Sequence, residues 1–460
     1  MSEIHKKFVK DSKEIAFDLG HRKKINFNIA KYDAAVVKGK KIYSKLETTK
    51  QRAAYLKHKV IENLEKYLGE FENNFTKKGG KVIWAQTADE AVAEILKILK
   101  SHGSKLVVKS KSMITEELEL NDALEKKNIE TIETDLGEYI VQLAGEKPYH
   151  IVTPAMHKSK EDIATLFNEK FNTPLDSTPE EMTDFVRQKL RTKFAEADTG
   201  ITGANFLIAD TGSIALTENE GNGMMSFSFP KLHIAISGIE KIIPSVNDLD
   251  LYWPLLATHG TGQQLTVYNS IISGPRQTGE IDGPTEMYVI LIDNGRTELL
   301  KHRSQRSALS CIKCGACLNA CPVYKNIGGH SYNTTYSGPI GAVITPHLKG
   351  MKDYMHLSFA SSLCGKCTEV CPVKINLHEL LLLNRNESVR LGYSTPGEKK
   401  LQYLAKKILM NRWMMDFGGS GIKNMAMKTF MKKAWGNHRN LPDMAPKSFK
   451  QLWEERRGGK

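Results

Sequence analysis

The cysteines are the feature that most constrains this chain of 460 residues. All seven lie between residues 311 and 371, in two runs that each end in Cys-Pro. The first run starts at Cys311 with the spacing C-x2-C-x2-C-x3-C-P, and the second has the same spacing except that Ser361 replaces its first cysteine. The seven residues are Cys311, Cys314, Cys317, Cys321, Cys364, Cys367 and Cys371. Thiols at such short spacing must share tight loops, so this segment is predicted to fold around whatever they bind.

The spacing is typical of bacterial-type ferredoxins, in which the fourth cysteine of each run ligates the cluster of the other run. It therefore predicts two [4Fe-4S] clusters. We assign Cys311, Cys314, Cys317 and Cys371 to one cluster, and Cys321, Cys364 and Cys367 to the other. The fourth position of the second cluster is open to Ser361, water, a substrate or nothing, or one iron is lost to give a three-iron form.

Two other uses of the cysteines fit the sequence less well. Zinc ribbons use paired C-x2-C elements rather than three equally spaced cysteines closed by C-x3-C-P. A disulfide framework is disfavoured because the cysteine count is odd and confined to a small part of a long chain. The prediction is therefore iron-sulfur chemistry and electron transport.

Composition places the chain among globular proteins, with 40% hydrophobic and 25% charged residues. No apolar run approaches the 18 residues that a transmembrane helix needs. The charged N-terminus is not followed by the core of a signal peptide, so a cytoplasmic location is expected.

The formal charge of +13 is concentrated near the C-terminus, where residues 385–460 carry 17 Lys and Arg against 6 Asp and Glu. Such a tail favours contact with nucleic acid, an anionic membrane surface or an acidic partner, or it is a solvated helical face. No helix-turn-helix pattern is present, so no nucleic-acid partner is predicted. The tail is also rich in methionine, which suits adaptable packing against a partner.

Four segments are predicted along the chain: a helical segment 1–75, an α/β domain 76–300, an α-helical ferredoxin domain 301–391 and a basic Met-rich tail 392–460. In the first, Leu56, Val60, Leu64 and Leu68 mark one apolar helical face. In the second, short apolar runs alternate with helical patterns, which predicts an open, parallel sheet. The predicted strands are 82–85, 105–109, 129–132, 150–153, 206–209, 213–216, 232–236, 264–267 and 287–292, and helices are expected at 87–103, 114–127 and 377–391. A capping box, Thr87-Ala-Asp-Glu90, marks the start of the first of these helices.

The chain resembles the lactate utilization protein B family. The resemblance is carried by residues 198–205, residues 210–222, the two cysteine runs and the linking segment 336–346. It implies a cytoplasmic subunit with two [4Fe-4S] clusters that acts with other subunits in oxidising L-lactate to pyruvate. It also implies an α/β domain similar to sugar isomerases and coenzyme A transferases. The family likewise has three cysteines in its second run.

The predicted function is thus electron relay from a 2-hydroxy acid, with the electron acceptor left open and peripheral membrane contact through the tail as one option. No Rossmann fingerprint or flavin motif is present, so the hydride or carbon-acid step is assigned to another subunit. The alternative is a transferase- or isomerase-like enzyme whose clusters act as a redox switch. No catalytic residue is predicted.

A substrate hypothesis rests on the strand end at Glu218 and the glycines that follow. Backbone N–H groups of Gly221 and Gly223, together with Lys109 or His233, would hold a small anion. Glu218 and Glu220 are as consistent with capping or surface pairing as with accepting a proton.

Overall fold

The computed structural model describes residues 2–436 and 440–458. They divide into two compact units, one ending at Ser388 and the other beginning at Val389. Met1 of the predicted segment 1–75, and residues 437–439 and 459–460 of the predicted tail, lie outside the described residues.

The chain begins with four helices: α1 (Glu3–Phe17), α2 (Leu19–Lys40), α3 (Leu46–Ile61) and α4 (Leu64–Thr76). Val60, Leu64 and Leu68 are buried, as the apolar spacing predicts, and Leu56 is partly buried. The predicted face crosses a helix boundary, because α3 ends at Ile61 and α4 begins at Leu64.

Within the described residues, ten strands follow: β1 (Lys81–Ala85), β2 (Leu106–Lys109), β3 (Glu130–Glu133), β4 (Thr199–Gly203), β5 (Phe206–Ile208), β6 (Ser213–Glu218), β7 (Leu232–Gly238), β8 (Ile242–Ile243), β9 (Tyr268–Ile272) and β10 (Glu286–Ile292). A six-stranded sheet has the order β1-β10-β7-β4-β2-β3, and all of its pairs are parallel. The predicted open α/β sheet is confirmed. Its carboxyl-terminal edge collects the loops that follow β2, β4 and β7.

Helices connect and cover this sheet: α5 (Ala88–Ser101), α6 (Met113–Glu117), α7 (Leu120–Glu125), α8 (Leu136–Leu143), α9 (Lys160–Phe171), α10 (Pro179–Glu196), α11 (Asn222–Ser228) and α12 (Leu249–Gly260). The cap predicted for α5 is present, since Thr87 Oγ1 accepts a hydrogen bond from Glu90 N at 3.2 Å. The helix predicted at 114–127 is divided into α6 and α7, because Glu119 takes a left-handed conformation with φ of 50°.

A second sheet has the order β8-β5-β6-β9, with antiparallel pairs on both sides of β6. It packs against the N-terminal helices in one hydrophobic core. Lys57 on α3 is buried there, and its Nζ donates hydrogen bonds to the backbone oxygens of Glu240 (2.6 Å) and Ile242 (3.3 Å).

Two predicted strands are wrong. Residues 150–153 form an irregular segment in which His150 Nδ1 accepts from the backbone of Val152 at 3.1 Å, so this backbone does not pair with a strand. Residues 264–267 are also irregular, since Val267 N donates to the side chain of Asn219 at 3.2 Å and pairing with β6 starts at Tyr268.

The cysteine region is helical, as predicted. Its helices are α13 (Arg296–Lys301), α14 (Ala316–Ala320), α15 (Pro322–Ile327), α16 (Gly338–Leu348), α17 (Met351–Tyr354), α18 (Lys366–Glu369) and α19 (Leu377–Arg390). Its core is continuous with that of the second sheet and the N-terminal helices. Residues up to 388 therefore pack as one compact unit, and the predicted boundaries near residues 75 and 300 stay predictions.

The second unit contains α20 (Pro396–Met410), α21 (Arg412–Asp416), α22 (Gly419–Ala426), a π-helical turn at Met427–Met431, α23 (Lys432–Trp435) and α24 (Phe449–Gly458). These helices expose large apolar side chains, including Leu401, Met410, Trp413 and Phe417. Across the described residues, no helix combines the length and apolarity needed to cross a membrane.

Candidate iron-sulfur centres and the adjoining cavity

Four thiols surround one small space in the cysteine region. We call them the first thiol group: Cys311, Cys314, Cys317 and Cys371. Apolar side chains complete the wall, among them Ile151, Ile340 and Leu377. The last cysteine of the second run thus lies with the first three cysteines of the first run.

Three thiols surround a separate space, and we call them the second thiol group: Cys321, Cys364 and Cys367. Ser361 and Ser362 line the same space. Here the last cysteine of the first run lies with the cysteines of the second run. All seven cysteines are free of disulfide bonds.

The two loops that carry the thiols have the same backbone course. Lys313 and Leu363 precede the equivalent cysteines with φ of 60° and 55°, and Gly315 and Gly365 follow them with φ of 79° and 76°. Left-handed conformations at both positions turn the backbone around the central space, which glycine does without strain.

Ser361 occupies the position of Cys311 in this repeated geometry. The backbone N–H of Lys313 donates to Cys311 Sγ at 3.4 Å, and that of Leu363 donates to Ser361 Oγ at 3.1 Å. The hydroxyl therefore takes the same local hydrogen bond as the thiol that it replaces.

The environments of the thiols differ in electrostatics. Burial raises the pKa of Cys314 and of Cys317, and the neighbouring thiols add to the effect. Burial likewise raises the pKa of Cys367 and of Cys371 to about 11. Cys364 is exposed, and the backbone N–H of Lys366 lowers its pKa.

This donor set fits iron-sulfur clusters. Enclosed free thiols in groups of four and three match the soft ligands that such clusters take. Metal binding requires the thiolates, so loading these buried groups would release protons.

A larger cavity, of about 350 Å³, adjoins the first thiol group at the carboxyl-terminal edge of the six-stranded sheet. Cys314 lines both spaces. Strand ends of open parallel sheets are where ligands bind in such folds. The polar residues around the larger cavity include Lys111, Asp135, Glu218, Glu220 and Lys313.

Lys109 and His233, the cations predicted to bind a substrate anion, do not line the larger cavity, so that part of the substrate hypothesis is wrong. Lys109 is fully buried, and its Nζ lies 2.7 Å from Glu133 and 2.8 Å from Thr115 Oγ1. His233 is also fully buried and its Nε2 lies 2.8 Å from Thr202 Oγ1, while burial lowers its pKa to about 3. Both side chains are therefore engaged by neighbouring residues in the protein interior.

One of the two predicted backbone donors is also engaged. Gly223 N donates to Glu218 Oε2 at 2.6 Å, so this N–H is taken by the protein's own carboxylate. Gly223 does line the larger cavity, and Gly221 forms the left-handed turn before α11. Sequence reasoning missed Lys111 and Lys241, although each follows the end of a parallel strand within three residues, and it missed Lys313 between two cysteines.

Comparison with known proteins matches two segments of the chain to known domain families. Residues 68–292 match the LUD domain family, and residues 307–375 match the 4Fe-4S dicluster domain family. Lactate utilization protein B of Bacillus licheniformis is 44% identical over 423 residues, covering 89% of this chain and 88% of that protein. Lactate utilization protein B of Bacillus subtilis is 43% identical over 413 residues, covering 87% and 86%.

A crystal structure of a DUF162 family protein from Deinococcus radiodurans covers 50% of this chain and 98% of its own, with 15% identity and a TM-score of 0.30.

Proposed function

The chain belongs to the lactate utilization protein B family, and from that premise we propose that it relays electrons in the oxidation of L-lactate to pyruvate. The relay would use two [4Fe-4S] clusters in the segment that matches the 4Fe-4S dicluster domain. The observation that carries the proposal is the gathering of seven thiols into two groups within one compact unit.

We assign one cluster to the first thiol group and the other to the second thiol group. The apolar walls of the first group limit the contact of its thiolates with water. In the second group, Ser361 is the group of this chain proposed for the fourth position. The exposed Cys364 marks the side from which electrons exchange with another protein.

The stoichiometry of the reaction suits two centres. Oxidation of L-lactate to pyruvate releases two electrons and two protons, and a [4Fe-4S] cluster, when bound, carries one electron at a time. The chain's own contribution is to hold the thiolates in two separate groups. We assign cleavage of the lactate C–H bond to another subunit of the lactate-oxidation system, in line with the missing flavin and nucleotide motifs.

Anaerobic quantitation of iron and sulfide, combined with EPR of the full-length protein, tests this proposal. We expect two centres per chain, and we expect L-lactate to reduce them only when the other subunits are present. The protein without those subunits is the matched control. A colourless or zinc-only protein, or centres that lactate never reduces in the assembled system, would contradict the proposal.

The basic tail is proposed to contact an anionic surface. Its helices expose Leu401, Met410 and Trp413 among many lysines, which suits either anionic lipid or an acidic partner subunit. Sedimentation with anionic vesicles, using the full chain and a chain lacking residues 393–460, separates these two surfaces. Binding that requires the tail assigns it to lipid, whereas equal sedimentation of both forms rejects a lipid role.

A further inference from the structure

A cavity of about 130 Å³ lies where the loops after β2, β4 and β7 meet the first cysteine loop. Its lining includes Lys111, Asn205, Lys241, Lys313 and Tyr336, and we call it the lysine cavity. Lys111, Asn205 and Lys313 also line the larger cavity, so the two spaces adjoin. The lysine cavity therefore joins the ligand-binding edge of the sheet to the cysteine region.

Positive charge dominates this space. Lys111 is paired with Asp135 at 2.8 Å. Among the described residues, by contrast, Lys241 and Lys313 have no carboxylate within ion-pair distance, although Lys313 lies 4.1 Å above the Tyr336 ring. Two half-buried ammonium groups in one cavity are unfavourable unless an anion compensates them.

Of the residues that the structure describes, Glu240 is the one carboxylate lining the lysine cavity, and it is already engaged. Glu240 Oε2 lies 2.6 Å from Arg296 Nε, and Arg296 also binds Glu117 at 2.8 Å. Burial lowers the pKa of Lys241 to about 8 despite the nearby Glu240, and Lys313 adds to the decrease. Because Glu117 and Glu240 share the one cation Arg296, one negative charge remains against the two ammonium groups of Lys241 and Lys313, and a net positive charge faces the cavity.

Size and polarity restrict the ligand. A space of about 130 Å³ admits a small anion and lies below the roughly 300–1,000 Å³ of pockets that enclose drug-sized ligands. Asn205 Oδ1 accepts from Thr217 N at 2.9 Å, which leaves its Nδ2 as a donor toward the cavity. Two ammonium groups and one amide donor match a small carboxylate that carries a second oxygen on the adjacent carbon.

We propose that the lysine cavity binds a small 2-hydroxy or 2-oxo carboxylate, with Lys241 and Lys313 on its carboxylate and Asn205 on its 2-oxygen. The choice of this substrate class rests on the proposed function. The lactate C–H bond is still cleaved elsewhere; this cavity holds the substrate or product beside the first thiol group. A competing explanation is that the lysines only balance the charge of a neighbouring cluster.

Anaerobic calorimetric titration of the full-length, cluster-containing protein with pyruvate tests the proposal. We expect saturable binding that Lys241→Met weakens about tenfold or more, equivalent to about 1.4 kcal/mol, and that Lys241→Arg partly restores. Lys313→Met, on a different element, should weaken binding in the same direction. Lys97→Met is the matched control, because Lys97 is an exposed lysine on α5 that pairs with Glu94.

Further measurements on the same samples separate the explanations. Acetate lacks the 2-oxygen, and inorganic phosphate lacks the carboxylate, so both should bind more weakly than pyruvate. Equal binding of phosphate, or unchanged pyruvate binding in Lys241→Met, would overturn the proposal, even if that variant shifts a cluster reduction potential. Iron content distinguishes failure of the binding site from failure of the electron relay. Iron-loaded protein that does not bind pyruvate would contradict the binding site alone. Iron-free protein that binds pyruvate through Lys241 would contradict the electron relay alone.

Discussion

The two thiol groups share a loop geometry but differ in their surroundings. Gly315 and Gly365 hold equivalent left-handed positions with nearly equal φ. A Cβ placed on Gly315 would lie 3.0 Å from Val152 of the α/β domain, whereas one placed on Gly365 would meet nothing within 4 Å. One loop therefore packs against the α/β domain, and its counterpart is open at the same position.

The exposure of the cysteines and the type of ligand residue also differ between the two loops. Cys364 is exposed, whereas the equivalent Cys314 is half-buried and contributes to the wall of the larger cavity. The second loop, which carries the exposed Cys364, is also the one in which Ser361 replaces a cysteine. The comparison teaches that the sequence repeat sets the path of each loop, while docking against the α/β domain sets how far each group is shielded.

The largest expected effect tests which thiols act together. Cys371→Ala should remove the iron of the first thiol group, roughly half of the total, because its sulfur lies with Cys311, Cys314 and Cys317. Cys321→Ala, the matched variant, should instead remove the iron of the second. Iron analysis with EPR of each reduced variant measures this. If Cys371→Ala spares the first centre and abolishes the second, each run binds its own cluster.

A second prediction concerns the buried ion pair between Arg296 and Glu117, which lies close to the first cysteine loop. Lys313 lies over Tyr336, whose hydroxyl donates to Glu117 at 2.6 Å, and Glu117 is paired with buried Arg296. Arg296→Met leaves buried carboxylates without their cation and should lower the free energy of unfolding by about 3–5 kcal/mol. Chemical denaturation measures the change. Arg187→Met, which breaks an exposed pair with Asp184, should hardly move the midpoint.

The same ion pair predicts a dependence on pH. Burial alone would raise the pKa of Glu117, but Arg296 lowers it from 4.5 to about 2. Because the pKa is depressed in the folded state, the pair stabilises the protein fully above about pH 4.5, and this stabilisation is lost as the pH falls toward 2. The wild-type protein should lose more stability over that interval than Arg296→Met. If the free energies of unfolding of the wild-type protein and of Arg296→Met changed equally with pH, this prediction would be contradicted.

A smaller effect distinguishes the two glycines. Alanine at either position takes a left-handed conformation, at a cost of about 1–2 kcal/mol. Gly315→Ala also forces a contact with Val152 and should destabilise the protein more than Gly365→Ala does. Thermal or chemical unfolding of the pair measures the difference. Equal losses would show that the α/β domain does not constrain the first loop.

The smallest effect concerns the serine. Ser361→Cys should slow the release of iron from the second centre to a chelator, because a thiolate would then stand where Cys311 stands in the first loop. Ser44→Cys, at an exposed serine that lines neither thiol group, is the control and should release iron at the wild-type rate. Faster or unchanged release from Ser361→Cys would count against a ligand position at residue 361.

Much of the secondary structure and the parallel sheet could be predicted from local sequence patterns. Alternating apolar and helical segments predicted the parallel sheet, and the cap at Thr87 predicted the start of α5, because each depends on near neighbours in the chain. The segment 150–153 was misread as a strand because its apolar residues face the first cysteine loop instead of a neighbouring strand. Lys109 and His233 were misplaced because a strand pattern does not reveal which buried partners a polar side chain meets.

By itself, the sequence determined that seven thiols would occupy two repeated tight loops after an α/β domain, since cysteine spacing and glycine placement act over a few residues. The tertiary structure alone decided that the first loop is shielded and the second is open. It also decided that Lys241 and Lys313, 72 residues apart in the chain, face one cavity. Burial and charge compensation depend on contacts between distant segments, and those contacts exist only after the sheet edge and the cysteine region have packed together.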